Sequence, residues 1–473
     1  TAGLQCLLTG TNFARWELWD GIRGYDYLLT RKEVDRKRIG VAGNSGGGTQ
    51  TAYLMVVEPP VAAAAPACYI TSWEKLWGTA GPQDAEQNFA GFLKDGLNFG
   101  DFLIAFAPKP LKVVTATQDF FPIEGARATF AEAKRIYEVL GAADRIAFFE
   151  HDDKHGWSKP LRQATYQWMQ QWLNGVKEEG LEEDLKTEPD ANLNCTPTGQ
   201  LATSLKGETV QLLNQALAER IYRPGRIKDP AKLRAAVAAR LGLPSGTGPQ
   251  PVASRIGFQP VQPRETGIVQ RPGYRIHKLG FGTEPGVTVP ALLFAAEDGP
   301  SKRPAVLYLN PEGKAADAAP GGPIEALVKA GHLVLAADLR GWGESAPPRK
   351  PGVYGGAYQT AMRAILVGKT MVGMQVYDAL RLFDHLAAGS QVDASRVTVL
   401  GKGNGGVVAL FAAVLEARIA QATLEGAAAS YMEIVQAKLH ENIIDIVVPG
   451  VLRDFDLPDL EAALGPRVVR NRR

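Results

Sequence analysis

Cysteine is scarce. Cys6, Cys68 and Cys195 are the three in 473 residues. An odd, scattered set without CxxC spacing excludes a disulfide framework and a cysteine-rich metal knot. It fits a reducing compartment, or an exported protein that does without disulfides. Also lacking is any apolar run near the ~20 residues a membrane-spanning helix needs, so no membrane partner is expected. Charge of one sign is not in surplus either. Lys and Arg number 52 against 50 Asp and Glu, a formal net charge of +2, and nothing electrostatic favours nucleic acid as a partner. The one basic cluster, "RVVRNRR" at 467–473, reads as a frayed tail. The chain opens "TAGLQCLLTG", with neither an initiator Met nor a basic leader. The expectation is that its natural start lies further upstream, and the compartment stays open.

What is present is ordinary globular material, 45% hydrophobic and 22% charged. The length suggests two or three domains at ~100–200 residues each. An internal repeat organises them. Asp20 in "LWDGIRGYDYL" matches Asp378 in "VYDALRLFDHL", an offset of 378 − 20 = 358. The same offset carries Arg23 to Arg381, Asp35 to Asp393, Gly43 to Gly401 and Ser45 to Gly403. It also takes "APKPL" at 107–111 onto "GPRVV" at 465–469, without an insertion. The second copy has about a hundred further residues ahead of the matched part, with strands "VPALLFAAEDG", "PAVLYLN" and "HLVLAADLRGWGES". The first copy has none of these. It runs on instead for sixty-odd residues where the second stops. Two domains are expected, 1–175 and 253–473, joined by a linker at 176–252. The linker is acidic and turn-rich, then holds two amphipathic helices. The second of these is capped by Asp229, starts at Pro230 and stops at Gly242.

In the first copy "RIGVAG" reads as a short strand and "GGTQTAYLMVV" as a helix that opens straight after it. Ser45 sits on the corner between them, in Gly43-Asn44-Ser45-Gly46-Gly47. This G-x-S-x-G elbow strains the serine backbone and exposes its hydroxyl above a helix N-terminus. The Gly46 N–H is the expected oxyanion donor. A serine nucleophile needs a base, and the base an orienter, in the chain order Ser, Asp, His. Asp119 follows the apolar strand "KPLKVVTATQ", and His155 lies in the loop "HDDKHGWS" after the strand "RIAFFEH". The expected triad is therefore Ser45, Asp119 and His155. His151 is the rival base, and Asp101, Asp152 and Asp153 are the rival acids. A metal held by His151 and His155 is not favoured, because no helix aligns the two rings.

The stretches "GNSGGGTQTAYL", "QDAEQNFAGFL", "ATQDFFPIEGAR" and "HDDKHGWSKPLR", with "DLRGWGES" in the second copy, resemble the prolyl-oligopeptidase-related α/β-hydrolases known as acetyl xylan esterases or dienelactone-hydrolase-like proteins. The resemblance implies an α/β fold, here two α/β-hydrolase-type doubly wound parallel sheets in tandem, each partial, joined by a helical linker. It implies a serine ester hydrolase with no cofactor and no metal, acting on a small or carbohydrate ester. The alternatives are a prolyl-oligopeptidase-like peptidase and a non-catalytic scaffold.

The second elbow, Gly401-Lys402-Gly403-Asn404-Gly405, keeps its turn glycines and lacks the hydroxyl. That copy is expected to be retained for its shape. Its loop near Pro311 and Glu312 corresponds to the usual site of a second oxyanion donor. With strands present once and elbows twice, the sheet edge beside "RIGVAG" is expected to be bare within this chain. Residues outside the 473, or another copy in a homo-oligomer, are expected to cover it. The alternative is that residues 255–358 cross over to complete the first sheet.

Overall fold

The computed structural model describes residues 1–58, 60–243, 262–348 and 355–471. It separates into two compact units. One is Asn12–Val210. The other combines Thr1–Thr11 with Gln211–Arg473.

The Asn12–Val210 unit is built on four parallel strands: β1 (Gly40–Asn44), β2 (Ala63–Ala67), β3 (Leu111–Gln118) and β4 (Ile146–Lys154), in the order β1-β2-β3-β4. β2 is buried at all five positions, as expected of a parallel strand covered on both faces. The helix Ile123–Val139 buries Ile123, Ala126, Thr129, Ala133 and Tyr137, a three-and-four spacing that makes one apolar stripe. The helix Phe99–Phe106 starts at a capping box between Asn98 and Asp101.

The second unit holds eight strands: β5 (Arg264–Arg271), β6 (Tyr274–Glu284), β7 (Val287–Ala296), β8 (Arg303–Leu309), β9 (Leu333–Ala337), β10 (Val392–Lys402), β11 (Gln421–Glu425) and β12 (Val468–Asn471). Their order is β12-β11-β10-β8-β9-β7-β6-β5. β5, β6 and β7 form an antiparallel meander, β7 joins β9 antiparallel, and the remaining pairs are parallel.

The two sheets share one register. Gly40 pairs Ala63 and Asn44 pairs Ala67. Thr398 pairs Gln421 and Lys402 pairs Glu425, each displaced by 398 − 40 = 425 − 67 = 358. The strand "AVLYL" pairs with β10 in the eight-stranded sheet, so residues 303–309 do not complete the four-stranded one. Among the described residues β1 pairs with β2 alone.

Two expectations need revision. The described part of the basic cluster is no frayed tail: Val468–Asn471 is a strand, and Arg472 and Arg473 lie outside the described residues. Arg467 Nη2 donates to the Ile419 carbonyl at 2.8 Å, and Arg470 Nη1 to that of Ala427 at 2.8 Å. Guanidinium groups there satisfy carbonyls at the sheet's rim, which a periodicity reading cannot foresee. The helices expected in a linker, Val210–Ile221 and Pro230–Arg240, are also more than a spacer. Ala218, Leu233 and Val237 belong to the core of the second unit. Asp229 caps the latter helix by accepting from the amides of Ala231 and Lys232. The stretch "LPSGTGPQP" and the 252/253 boundary lie outside the described residues, except for Leu243.

Candidate active site

β1 ends at Asn44 and a helix begins at Gly46, leaving Ser45 alone on the corner with φ 58° and ψ −118°. An L-residue adopts that left-handed backbone only under constraint. The constraint is visible: the Ser45 amide donates to the Ala67 carbonyl at 2.9 Å, tying the corner to the end of β2. A Cβ on Gly43 would overlap the backbone of Gly47, and one on Gly48 would overlap the Ala67 carbonyl. A Cβ on Gly47 would meet nothing. The steric demand therefore falls on Gly43 and Gly48, one position beyond the motif's second glycine.

Asp119 follows β3 directly, and its carboxylate accepts the Phe121 amide at 3.0 Å. Its side chain is 2% exposed and that of His155 23%. His155 Nδ1 lies 2.9 and 3.0 Å from the two Asp119 oxygens. His155 Nε2 lies 2.8 Å from Ser45 Oγ. All three expected residues thus meet in one hydrogen-bonded chain. The Phe120 ring lies against the imidazole at 4.3 Å between centroids. Gly46 is the first residue of its helix, where the first amides have no acceptor within the helix.

The rivals are engaged elsewhere. β4 runs three residues beyond His151, so His151 lies within the strand, opposite Ala116 and exposed. The loop expected from 151 onward is correspondingly shorter. Asp152 accepts from Thr117 Oγ1 at 2.6 Å and Gln118 Nε2 at 3.0 Å. Asp153 accepts from the Lys154 amide, and Asp101 closes its capping box.

One residue escaped the sequence reading. Cys68, 2% exposed, directly follows β2. Its Sγ lies with an Asp119 oxygen and a His155 ring nitrogen inside 4.8 Å, the one such grouping of three possible metal ligands among the described residues. Burial pushes its thiol up to about 12, so it is neither a nucleophile nor a charge at neutral pH. Nothing local marks it, because the contact is made across three strands.

Electrostatic pressure appears nearby. Gln50, on the elbow's own helix, donates to Glu17 at 2.6 Å. Burial, then the neighbouring Glu86 and Asp84 carboxylates, raise Glu17 to about 7.

The corresponding place in the second unit has the same corner and different contents. Gly403 has φ 50° and ψ −124°, and its amide donates to the Glu425 carbonyl at 2.8 Å. Beside it Lys402 pairs with Asp317 at 2.9 Å, and Asp317 also accepts from Tyr308 and Asn310. The Glu312 amide, expected near an oxyanion position, donates instead to Asn310 Oδ1 at 3.0 Å.

Comparison with known proteins adds the following. Residues 264–433 match the family model of acetyl xylan esterase (AXE1), and the likeness read from the sequence holds over that stretch. It includes Gly403 and none of Ser45, Asp119 or His155. A Bacillus subtilis (strain 168) protein named "Putative hydrolase YtaP" is 26% identical over 142 residues, 30% of this chain and 45% of its own length. The chain thus spans under half of that relative. Among solved structures, one described as a "putative acetyl xylan esterase" from Bacteroides fragilis NCTC 9343 is 18% identical, with a TM-score of 0.46, covering 56% of this chain and 75% of that one. Acetyl xylan esterase 1 from Thermoanaerobacterium sp. JW/SL YS485 is 18% identical, with a TM-score of 0.34, covering 55% and 81%. A glucuronoyl esterase from Solibacter usitatus is 15% identical, with a TM-score of 0.36, covering 52% and 74%. Among the described residues no helix is long and apolar enough to cross a membrane.

Proposed function

We propose that the chain is a serine carboxylic-ester hydrolase, that residues 1–175 carry its chemistry, and that its substrates are acetyl esters of a xylan-type carbohydrate. The observation that carries this reading is the continuous chain from Ser45 Oγ through His155 to both Asp119 oxygens, at 2.8, 2.9 and 3.0 Å. Ser45 Oγ attacks the acyl carbon and passes its proton to His155 Nε2. The new Oγ–C bond places the negative oxygen at the Gly46 amide and the helix N-terminus behind it. Asp119 holds Nδ1–H and stabilises the imidazolium. Breaking the ester C–O bond releases the alcohol, which takes the proton from Nε2. A water then repeats the sequence: it gives its proton to Nε2, acetate leaves, and the proton returns to Ser45.

The acetyl and carbohydrate part of the proposal leans on the family match over residues 264–433. In the same reading the two units descend from a duplication, and the second, with Gly403 at its corner, is non-catalytic. The test uses an active-site phosphonate and an acetylated xylo-oligosaccharide. Labelling at Ser45 with acetate release supports the proposal. Ser45→Ala should abolish both, with a loss of ~10⁴–10⁶ in kcat. Labelling without acetate release would move the substrate elsewhere, a peptide included. No labelling would leave a scaffold.

A further inference from the structure

Two non-glycine residues that directly follow parallel strands of the Asn12–Val210 unit have left-handed backbones: Ser45 after β1, with φ 58°, and Cys68 after β2, with φ 48°. The corresponding positions in the other sheet are 45 + 358 = 403 and 68 + 358 = 426. Both are glycine, with φ 50° and 62°. The two turns therefore demand the left-handed conformation in both sheets, and glycine meets that demand without strain. A side chain held there against the strain is held for what it does. Ser45 has its role in the proposed chemistry. Cys68 has none yet.

Its surroundings supply one. Cys68 Sγ donates to the Gly156 carbonyl at 3.5 Å, and Gly156 directly follows His155. The same sulfur shares a 4.8 Å cluster with the Asp119 carboxylate and the His155 ring. Cys68 shares a buried apolar cluster with Ala67, Val114, Ala116 and Leu161. We infer that Cys68 is a positioning residue for the Asp119–His155 pair. Its thiol anchors the start of the loop after His155, and its sulfur fills the buried side of the Asp119 carboxylate, so that both oxygens stay on Nδ1. The inference rests on the serine-hydrolase reading above and adds a third side chain to its support. The unit that lost the serine has also lost this side chain.

The test compares Cys68→Gly and Cys68→Ser with the parent by the rate of phosphonate labelling at Ser45, which is independent of substrate identity, and by kcat and KM on a small acetyl ester. Glycine is relaxed at this backbone, so Cys68→Gly should shift Tm by less than about 4 °C. Its labelling rate and kcat should nonetheless fall ~10–100-fold at nearly constant KM, the cost of a misaligned imidazole. Cys68→Ser, whose hydroxyl can donate to the same carbonyl, should recover most of that loss. The low-field proton signal of His155 Nδ1–H should broaden in Cys68→Gly and stay sharp in Cys68→Ser. A Cys68→Gly protein that labels within twofold of the parent overturns the inference. So does an equal loss in both variants. Should Cys68→Gly fail to fold, Cys68→Ala is judged by the same labelling ratio. A parent that labels but releases no acetate removes only the substrate class, and the labelling ratio still decides the role of Cys68. A parent that does not label removes the triad reading, and this inference with it.

Discussion

The two corners at residues 45 and 403 have nearly the same backbone, φ 58° against 50° and ψ −118° against −124°, and opposite contents. In one, a serine faces a histidine and a buried carboxylate. In the other, a glycine stands beside a lysine already paired with Asp317. The surroundings diverge as well. Helix Met371–Ala387 buries Asp378, which accepts from Thr283 at 2.7 Å and from Arg340 at 2.8 and 2.9 Å. On the matching helix Ala14–Thr30 only Ala14 and Tyr25 are buried, and Asp20 is exposed. A strand–turn–helix corner is thus set by the backbone and forms with or without a hydroxyl on it. Reactivity needs in addition a base, an acid and the side chains that hold them. In the second unit the buried Asp378 is held by Arg340 and Thr283.

The largest effects should separate the base from its rival. His155→Ala should lower kcat by ~10⁴ or more, and His151→Ala by less than tenfold. A reversed order in steady-state assays would break the triad half of the comparison.

The packing half is tested by a second pair. Asp378→Ala takes its main partner from the half-buried Arg340 guanidinium, which keeps Glu284, and should destabilise the eight-stranded unit by about 3 kcal/mol in urea titration. Asp20→Ala should stay within about 0.5 kcal/mol. Equal effects would mean that helix Ala14–Thr30 carries a buried network too.

A smaller effect depends on pH. Glu17, raised to about 7 in the folded protein, binds its proton more tightly there than in the unfolded chain. Its contribution to stability is therefore full below the ordinary carboxyl value of 4.5 and is lost as pH rises toward 7. Glu17→Gln can keep the contact to Gln50. It should raise Tm by roughly 1–3 °C at pH 8 and bring no gain at pH 4. A gain that persists at pH 4 would contradict the raised value.

The smallest effect is the most pointed. Gly403→Ser places a hydroxyl on the second corner, where a Cβ meets open space. No phosphonate labelling at residue 403 is expected, because among the described residues no histidine–carboxylate pair lies at that corner. Labelling at 403 would show that the corner alone is enough.

Much of the site was legible before any fold. The G-x-S-x-G corner, the strand before Asp119 and the order Ser, Asp, His are local patterns, and the structure brings Ser45, Asp119 and His155 together. The 358-residue offset was equally legible and reappears in the strand register. Less legible was the reach of β4, since "HDDK" is polar and looks like loop. It is strand because it pairs with β3 across a register shift between Ala116 and Gln118. The strand Val468–Asn471 hid because Arg470, and Arg467 just before it, are bound to carbonyls distant in sequence.

Glycine spacing and apolar runs act over a few residues, so the sequence alone located the corner at 45, the hydroxyl on it and the matching corner at 403. Two points the sequence could rank are resolved by the strand contacts, namely that Asp119 rather than Asp101, Asp152 or Asp153 faces His155 and that "AVLYL" pairs with β10 rather than β1; that Cys68 joins the site came from tertiary structure alone. Each depends on contacts between strands far apart in the chain. There the outcome follows from which side chains share one end of a sheet, and no local pattern encodes that.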